Sequence, residues 1–337
     1  MAKTNEPVLR GGIVGCGFFS QFHIEGWQRV PGATLAAACD LDLARATAAA
    51  PVAYQSLEEM LDKEKLDFLD IAARPEQHIP MLKIAAERGI PVICQKPMAP
   101  TWDECLQMVA IAKDAKLRLM IHENWRWQQW YREIHTMLQR GDIGHPVTYY
   151  FRTRRRDGIG SEPYPAQPYF RSYKRFLLYE TVVHHIDTAR FLFGDVERIY
   201  AQLRQVNPHI KGEDQVQLLT KHKSGLCGTI DGHRFVDLAE NSGPLGDAFF
   251  EGDQGMLWLD PTGNVLHRDT TGKERMAWQN TATAGYRGDS VRATQQHFIE
   301  CLRSGAEFES DASEYLKTVA VVEAGYRSAE TEAAVRL

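Results

Sequence analysis

Short β-rich runs recur at helix-length intervals through the first 122 residues: LRGGIVG (9–15), TLAAACD (34–40), LDFLDIAA (66–73), IPVICQ (90–95) and LRLMIH (117–122). Adjacent parallel strands need a crossover of a dozen or more residues, usually a helix. The stretches between the runs are long enough for such crossovers. The pattern therefore predicts a parallel sheet covered on both faces, a doubly wound α/β domain over residues 1–122.

From residue 123 the texture changes. A helix-like QWYREIHTMLQRGDIG leads into HPVTYYFRTR, VERIYAQLRQV, DQVQLLTKH, GLCGTIDGHR and GMLWLD, where strand follows strand. Antiparallel pairing is expected there, in an α+β domain over 123–337. One helix interrupts the strands, ETVVHHIDTARFLFG, with Gly194 placed as its C-cap. The tail DASEYLKTVAVVEAGYRSAE reads as a closing amphipathic helix with Asp311 or Ser313 as N-cap.

A formal charge of −5 argues against a partner that is itself a polyanion, so neither nucleic acid nor an anionic membrane is expected. The opening MAKTNEPVLRGG has no apolar core for a signal peptide, and no uninterrupted apolar run approaches a bilayer span. Six cysteines are scattered without C-x-x-C spacing. They read as reduced core residues, and the protein as cytoplasmic.

The stretch GIVGCGFFS places Gly15 and Gly17 at the first two positions of a G-x-G-x-x-G turn, with Ser20 at the third. Gly15 permits the tight turn, and Gly17 lets the backbone approach a pyrophosphate at the N-terminus of the next helix. Asp40 ends the second run, near the spacing at which an acid binds the ribose hydroxyls of NAD and repels the 2′-phosphate of NADP. Alternatively, Asp40 caps the helix that follows it. No arginine follows at once to host a 2′-phosphate, so NAD is favoured over NADP.

The fourth run ends in QKPMAP and is expected near the topological switch point of the sheet. Lys96 there would face the nicotinamide end of a dinucleotide and polarise a substrate hydroxyl. Pro97 restricts the Lys96 backbone, and the bond between them is cis or trans. The plainer reading is a solvated lysine leaving a strand. On the later helix, Glu180, His184 and Asp187 stand four and three residues apart on one face, with Val182, Ile186, Ala189 and Phe193 on another. A histidine between two acids suits proton abstraction from an alcohol. The rival is a surface helix with local charge pairs.

These pieces together resemble the Gfo/Idh/MocA family, glucose-fructose oxidoreductase, inositol 2-dehydrogenase and their relatives. The likeness runs through GIVGCGFFSQFH, IAARPEQH, QKPMA, HENWRWQQWYREI, VVHHIDTARFLFG and VVEAGYRSA. It implies a Rossmann domain followed by a domain with a large open antiparallel sheet, assembled as a homodimer or homotetramer. A nicotinamide cofactor and a sugar or polyol substrate are also implied. The family's E-K-P lysine falls on Lys96, and its D-x-x-x-H-x-x-D falls on Glu180, His184 and Asp187, with His184 as acid/base. Cofactor contacts are implied at Gly15, Gly17, Phe18, Phe19, Asp40, Ala73, Arg74, Pro75, His78, Gln95, Lys96 and Asn124. Two positions depart from the pattern: Gln95 replaces the usual Glu, and Glu180 the usual Asp.

Around the substrate, FRTRRRDG sets Arg152, Arg154 and Arg156 on one face of a presumed strand, beside Tyr150. They line the cleft, or they pair with acids in an interface, and Arg156 is the candidate for substrate. Trp125 is the tryptophan expected in the cleft, while Trp127 and Trp130 read as packing. A metal at His184, His185 and Asp187 is not expected, because adjacent histidines on a helix diverge by about 100°. The expected reaction is oxidation of a sugar hydroxyl by NAD, on an aldose such as the pentose apiose or on inositol. A silent NAD-binding sensor and an NAD-using glycosidase are the alternatives.

Overall fold

Strands that are apolar on both faces need cover on both faces, and five of the first unit's six strands are buried along most or all of their length. The computed structural model describes residues 7–238, 243–282 and 284–337; the first six residues of the opening stretch that was read for a signal peptide lie outside them. The chain forms two compact units, one running to Asn124 and including Asp289–Leu316, the other Trp125–Gly288 with Lys317–Leu337. The expected boundary at 122/123 falls two residues earlier, and the expectation of one continuous domain over 123–337 does not hold for residues 289–316.

In the first unit β1 (Leu9–Val14), α1 (Ser20–Arg29), β2 (Ala33–Cys39), α2 (Leu43–Ala49), β3 (Val52–Tyr54), α3 (Leu57–Lys63), β4 (Phe68–Ile71), α4 (His78–Glu87), β5 (Val92–Gln95), α5 (Trp102–Asp114) and β6 (Leu119–His122) alternate. The six strands lie parallel in the order β3-β2-β1-β4-β5-β6. β3 escaped the sequence reading because it is three residues long. The order reverses between β1 and β4, so the switch point lies there, and β5, expected near it, stands one strand beyond.

The second unit contains α6 (Gln129–Arg140), β7 (Pro146–Arg154), α7 (Val183–Phe193), β8 (Val196–Arg204), β9 (Gln215–His222), β10 (Cys227–His233), β11 (Gly246–Gly252), β12 (Gly255–Leu259), β13 (Val265–Asp269) and β14 (Glu274–Trp278). Next come α8 (Ser290–Ser304), α9 (Ala312–Thr331) and β15 (Val335–Arg336). The sheet order is β14-β13-β12-β11-β7-β10-β9-β8-β15. Its pairs are antiparallel except β7 with β10, so the expected antiparallel sheet is a mixed one. Asp311 caps α9 by accepting from the Ser313 N–H at 2.9 Å.

α8 has no counterpart in the sequence reading, yet it completes the first unit. Phe298 and Ile299 join Trp27, Val30, Phe68, Ile93, Met120 and Phe308 in one buried cluster. In the second unit Tyr149, Phe151, Leu218, Ile230, Phe250 and Leu257 point to the buried face of the sheet, where Phe193 of α7 stacks on Tyr149 at 5.0 Å. The opposite face exposes Leu219 (57%) and Met276 (50%) and carries the stacked pair Phe249–Trp258.

Tyr149 lies flat over Gly228, its register partner on β10, and a Cβ there would stand 2.1 Å from the ring. Its hydroxyl is held by Thr220 at 2.6 Å and His222 at 3.0 Å, so the ring cannot swing aside cheaply. Gly228→Ala should therefore cost about 1–3 kcal/mol through overpacking, read as a lower denaturant midpoint with unchanged slope.

Candidate functional site

The glycine turn follows β1 and meets the loop after β4. Gly15 has φ +87°, and a Cβ on it would lie 2.7 Å from the Ala73 backbone. Both the conformation and the contact exclude a side chain. At Gly17 nothing stands within 4 Å of where a Cβ would project, so its backbone faces open space. Ser20, first residue of α1, is buried and donates its hydroxyl to the Gly17 carbonyl at 2.7 Å. α1 has no side-chain cap, and although the Phe22 N–H donates to the Phe19 carbonyl at 3.0 Å, the N–H groups of Ser20 and Gln21 are left available to an anion.

Asp40 sits just past β2 and accepts from the Cys16 N–H at 2.7 Å and the Asp42 N–H at 2.9 Å. A carboxylate has about four acceptor sites, so room remains for ribose hydroxyls. The rival role for Asp40 belongs to Asp42, which caps α2 by accepting from Ala44 at 3.0 Å. Arg45, the nearest arginine on α2, pairs with Asp42 at 3.4 Å. Cys16 is held as a thiol: burial, then the charges of Asp40, Cys39 and Asp70, push its pKa up to about 12.

The remaining expected cofactor contacts divide by exposure. Phe18 is 45% exposed and Phe19 half-buried, while Arg74 is exposed just before the short 3₁₀ turn that begins at Pro75. His78 is fully buried and bridges the carbonyls of Ala73 and Met98, each at 3.0 Å. Burial lowers its pKa although both carbonyls favour an N–H. Its ring ties the loop after β4 to the one after β5, a strut rather than an exposed ligand contact. Asn124, also buried, donates to the Ser290 hydroxyl at 2.7 Å and so fastens the end of β6 to α8. Lys96 is half-buried at the tip of β5, and its bond to Pro97 is cis.

In the second unit the surface-helix alternative falls, because every residue from Thr181 to Arg190 is buried. The assumed regular spacing also changes: Leu178–Val182 forms a π turn, and α7 begins only at Val183. Glu180 sits in that wide turn and accepts from the Thr181 hydroxyl at 3.0 Å. His184 and Asp187 remain one turn apart on α7. Asp187 is fully buried in a bidentate pair with Arg126, at 2.8 and 2.7 Å, and accepts from Thr318 at 3.0 Å. This clamp fixes α7 to the segment before α6 and to α9.

Trp125, expected to stack on a sugar, is 1% exposed and lies against the His184 ring at 4.6 Å with planes 17° apart. It backs the imidazole instead. Trp127 and Trp130 are buried as packing residues. The arginine row is corrected as well. β7 ends at Arg154, so Arg156 lies in the following turn, exposed. Arg152 pairs with Asp247 on β11 and Arg154 with Asp231 on β10, both within this chain.

The family model described as "Oxidoreductase family, NAD-binding Rossmann fold" matches residues 9–123, and the Gfo/Idh/MocA C-terminal domain model matches 131–257. The chain is a Gfo/Idh/MocA oxidoreductase. A D-apiose dehydrogenase of Paraburkholderia graminis is 35% identical to it over 99% of this chain and 91% of that protein. Another, from Rhizobium rhizogenes, is 32% identical over 96% of each. An oxidoreductase of Agrobacterium radiobacter, crystallised with NAD+, L-tartaric acid and magnesium, superposes with a TM-score of 0.89 at 32% identity, covering 98% of both chains.

Membership in the Gfo/Idh/MocA family makes the first unit an NAD-binding domain, and the residues present fit that cofactor. The open backbone at Gly17 and the uncapped start of α1 suit a pyrophosphate, and the Asp40 carboxylate suits an unphosphorylated ribose. Several neighbours of the Gfo/Idh/MocA site were missed from sequence. Arg126 carries no periodic signal. Asp70 did: it is the one charge inside the apolar FLDI strand, and a buried charge calls for partners.

His185, beside His184, is buried under Phe151 and Trp125. Burial first, and the adjacent His184 second, lower its pKa from 6.5 to about 3. The folded protein therefore refuses a proton that the unfolded chain binds below 6.5, and stability falls as pH drops from there towards 3. Each pH unit in that window costs about 1.4 kcal/mol. Unfolding in denaturant at stepped pH should trace that slope, and His185→Asn should flatten it by about one proton's worth.

Proposed function

We propose that this oxidoreductase oxidises a hydroxyl of a sugar or polyol with NAD, and that D-apiose is its first candidate substrate. The full-length match to two proteins named D-apiose dehydrogenase carries the substrate reading, ahead of inositol. Retention of Lys96 and His184 supports turnover over a silent sensor.

Held by the Gly15–Gly17 turn, the start of α1 and Asp40, NAD would supply the acceptor for the hydride of the carbinol carbon. Lys96 donates to the hydroxyl oxygen and stabilises its developing negative charge. His184 takes the hydroxyl proton, leaving a carbonyl. Trp125 fixes one face of that imidazole, and the Arg126–Asp187–Thr318 clamp holds the helix carrying it. Glu180, in the π turn, orients substrate or imidazole, and Arg156 is free to reach a hydroxyl-rich ligand from its turn.

His184→Ala should lower kcat for D-apiose oxidation by roughly 10²–10⁴-fold. NAD affinity, read by protein fluorescence, should stay put, and Lys96→Met should lower kcat likewise. Unchanged turnover in His184→Ala, or no nicotinamide reduction with any aldose or polyol, would sink the assignment.

We also propose a homodimer or homotetramer joined through the uncovered sheet face. Leu219, Met276, Phe249 and Trp258 support it, since apolar side chains at least partly exposed on one sheet face are what association would bury. Light scattering should report an oligomer that Leu219→Glu dissociates. Among the described residues no helix is long and apolar enough to cross a membrane. All six cysteines are free thiols, five of them buried, which suits a cytoplasmic protein.

A further inference from the structure

Beneath the tip of β5 lies a buried polar chain that the reaction above does not use. The Lys96 backbone N–H meets Gln95 Oε1 at 2.6 Å, Gln95 Nε2 meets His23 Nε2 at 3.2 Å, and His23 Nδ1 meets Asp70 Oδ2 at 2.8 Å. Trp27 Nε1–H donates to the same Asp70 oxygen at 2.7 Å. Gln95, His23, Asp70 and Trp27 are all buried.

The polarity of this chain is forced from one end. A backbone N–H only donates, so the group facing Lys96 must be the amide oxygen, and the amide nitrogen therefore faces His23. An amide N–H donates too, so His23 Nε2 has to accept and carries no proton. Nδ1 then bears the ring's one hydrogen and gives it to Asp70. A glutamate at position 95 would reverse the last step, because its second oxygen would need a donor, and only a doubly protonated imidazole provides one while still serving Asp70.

We infer that Gln95 is a positioning residue: it holds the backbone of Lys96 and, through its amide, keeps His23 neutral as the Nδ1–H tautomer. A glutamate at position 95 of this chain would be matched by an imidazolium; the glutamine is matched by a neutral ring, and the net charge under Lys96 is the same in both. The inference rests on the assignment of Lys96 to the reaction only for its kinetic consequence.

The surroundings agree. His122 of β6 stacks on His23 at 4.1 Å, and complete burial pushes the His122 pKa well below the usual range, so the ring it presents to His23 is neutral. Cys94 on β5 and Cys16 in the glycine turn feel the Asp70 charge, and burial, the larger effect, helps keep both as thiols. Just before α1 the Phe19 ring meets His23 edge-on at 5.6 Å, and Gln295 of α8 donates to the His23 carbonyl at 3.0 Å. Asp70 is the one carboxylate in direct contact with the His23 ring among the described residues.

Long-range ¹⁵N–¹H correlation of the histidine rings reads the tautomer without turnover. In the unaltered protein His23 should show a protonated Nδ1 and a bare Nε2 at pH 7; in Gln95→Glu both nitrogens should be protonated at the same pH. An imidazolium or an Nε2–H tautomer in the unaltered protein overturns the inference, as does a neutral His23 in the glutamate variant. Kinetically, Gln95→Ala should lower kcat about ten- to a hundredfold with little change in KM for NAD, as expected for a displaced reacting group. Gln95→Glu should restore most of that loss, because a carboxylate oxygen still accepts from Lys96; full activity in Gln95→Ala refutes the positioning role. A fully active Lys96→Met would instead refute the reaction assignment, and the tautomer measurement would still decide the state of His23.

Discussion

The approach of two backbones at the sheet's switch point governs the first unit. Gly15 turns at positive φ against Ala73 with no room for a Cβ between them. That contact brings the loops after β1 and β4 together where the strand order reverses, which is where a doubly wound sheet leaves a crevice beyond its strand ends. From it follow the open backbone at Gly17, the unobstructed start of α1 and the placing of Asp40 by the Cys16 N–H. His78 extends the same layer sideways by joining the loops after β4 and β5. A substitution at Gly15 would thus disturb a ligand surface assembled from several strands.

The parallel sheet was legible because its signal is local: each strand is a short apolar run and each crossover has a length. The nine-stranded sheet was harder to read. β11, β13 and β14 mix glycine, charge and aromatics, and their pairing partners lie far off in sequence. The parallel β7/β10 pair could not be foreseen either, since two strands and a helix intervene. α8 passed unseen for a different reason. Its apolar face is spoken for by Trp27 and Phe68, more than two hundred residues upstream, and periodicity does not reveal a partner.

Among the site residues, types were readable and environments were not. The glycine turn, Asp40, Lys96 and the pair His184 and Asp187 stand out by spacing or by resemblance. What each touches depends on tertiary contacts: Asp187 is gripped by Arg126, Trp125 lies flat on His184, and Asp42 takes the capping role that Asp40 was a candidate for. The π turn at Leu178–Val182 marks the limit of helical-wheel reasoning, since the regular 3.6-residue spacing assumed from Glu180 onwards holds only from Val183, where α7 begins. Arg156 illustrates the same limit in a strand, because alternation assigns it to a face only as far as the strand continues.

The return of residues 289–316 to the first unit bears on how the polypeptide emerges from the ribosome. When Asn124 has been made, all six parallel strands exist, but Phe298, Ile299 and Phe308, which close their core, do not. At about 5–20 residues per second the nascent sheet waits roughly 10–40 s for them, with apolar surface uncovered. The nucleotide-binding half is consequently the first to be written and among the last to be finished, and a gene fragment ending at its final strand would encode an open core.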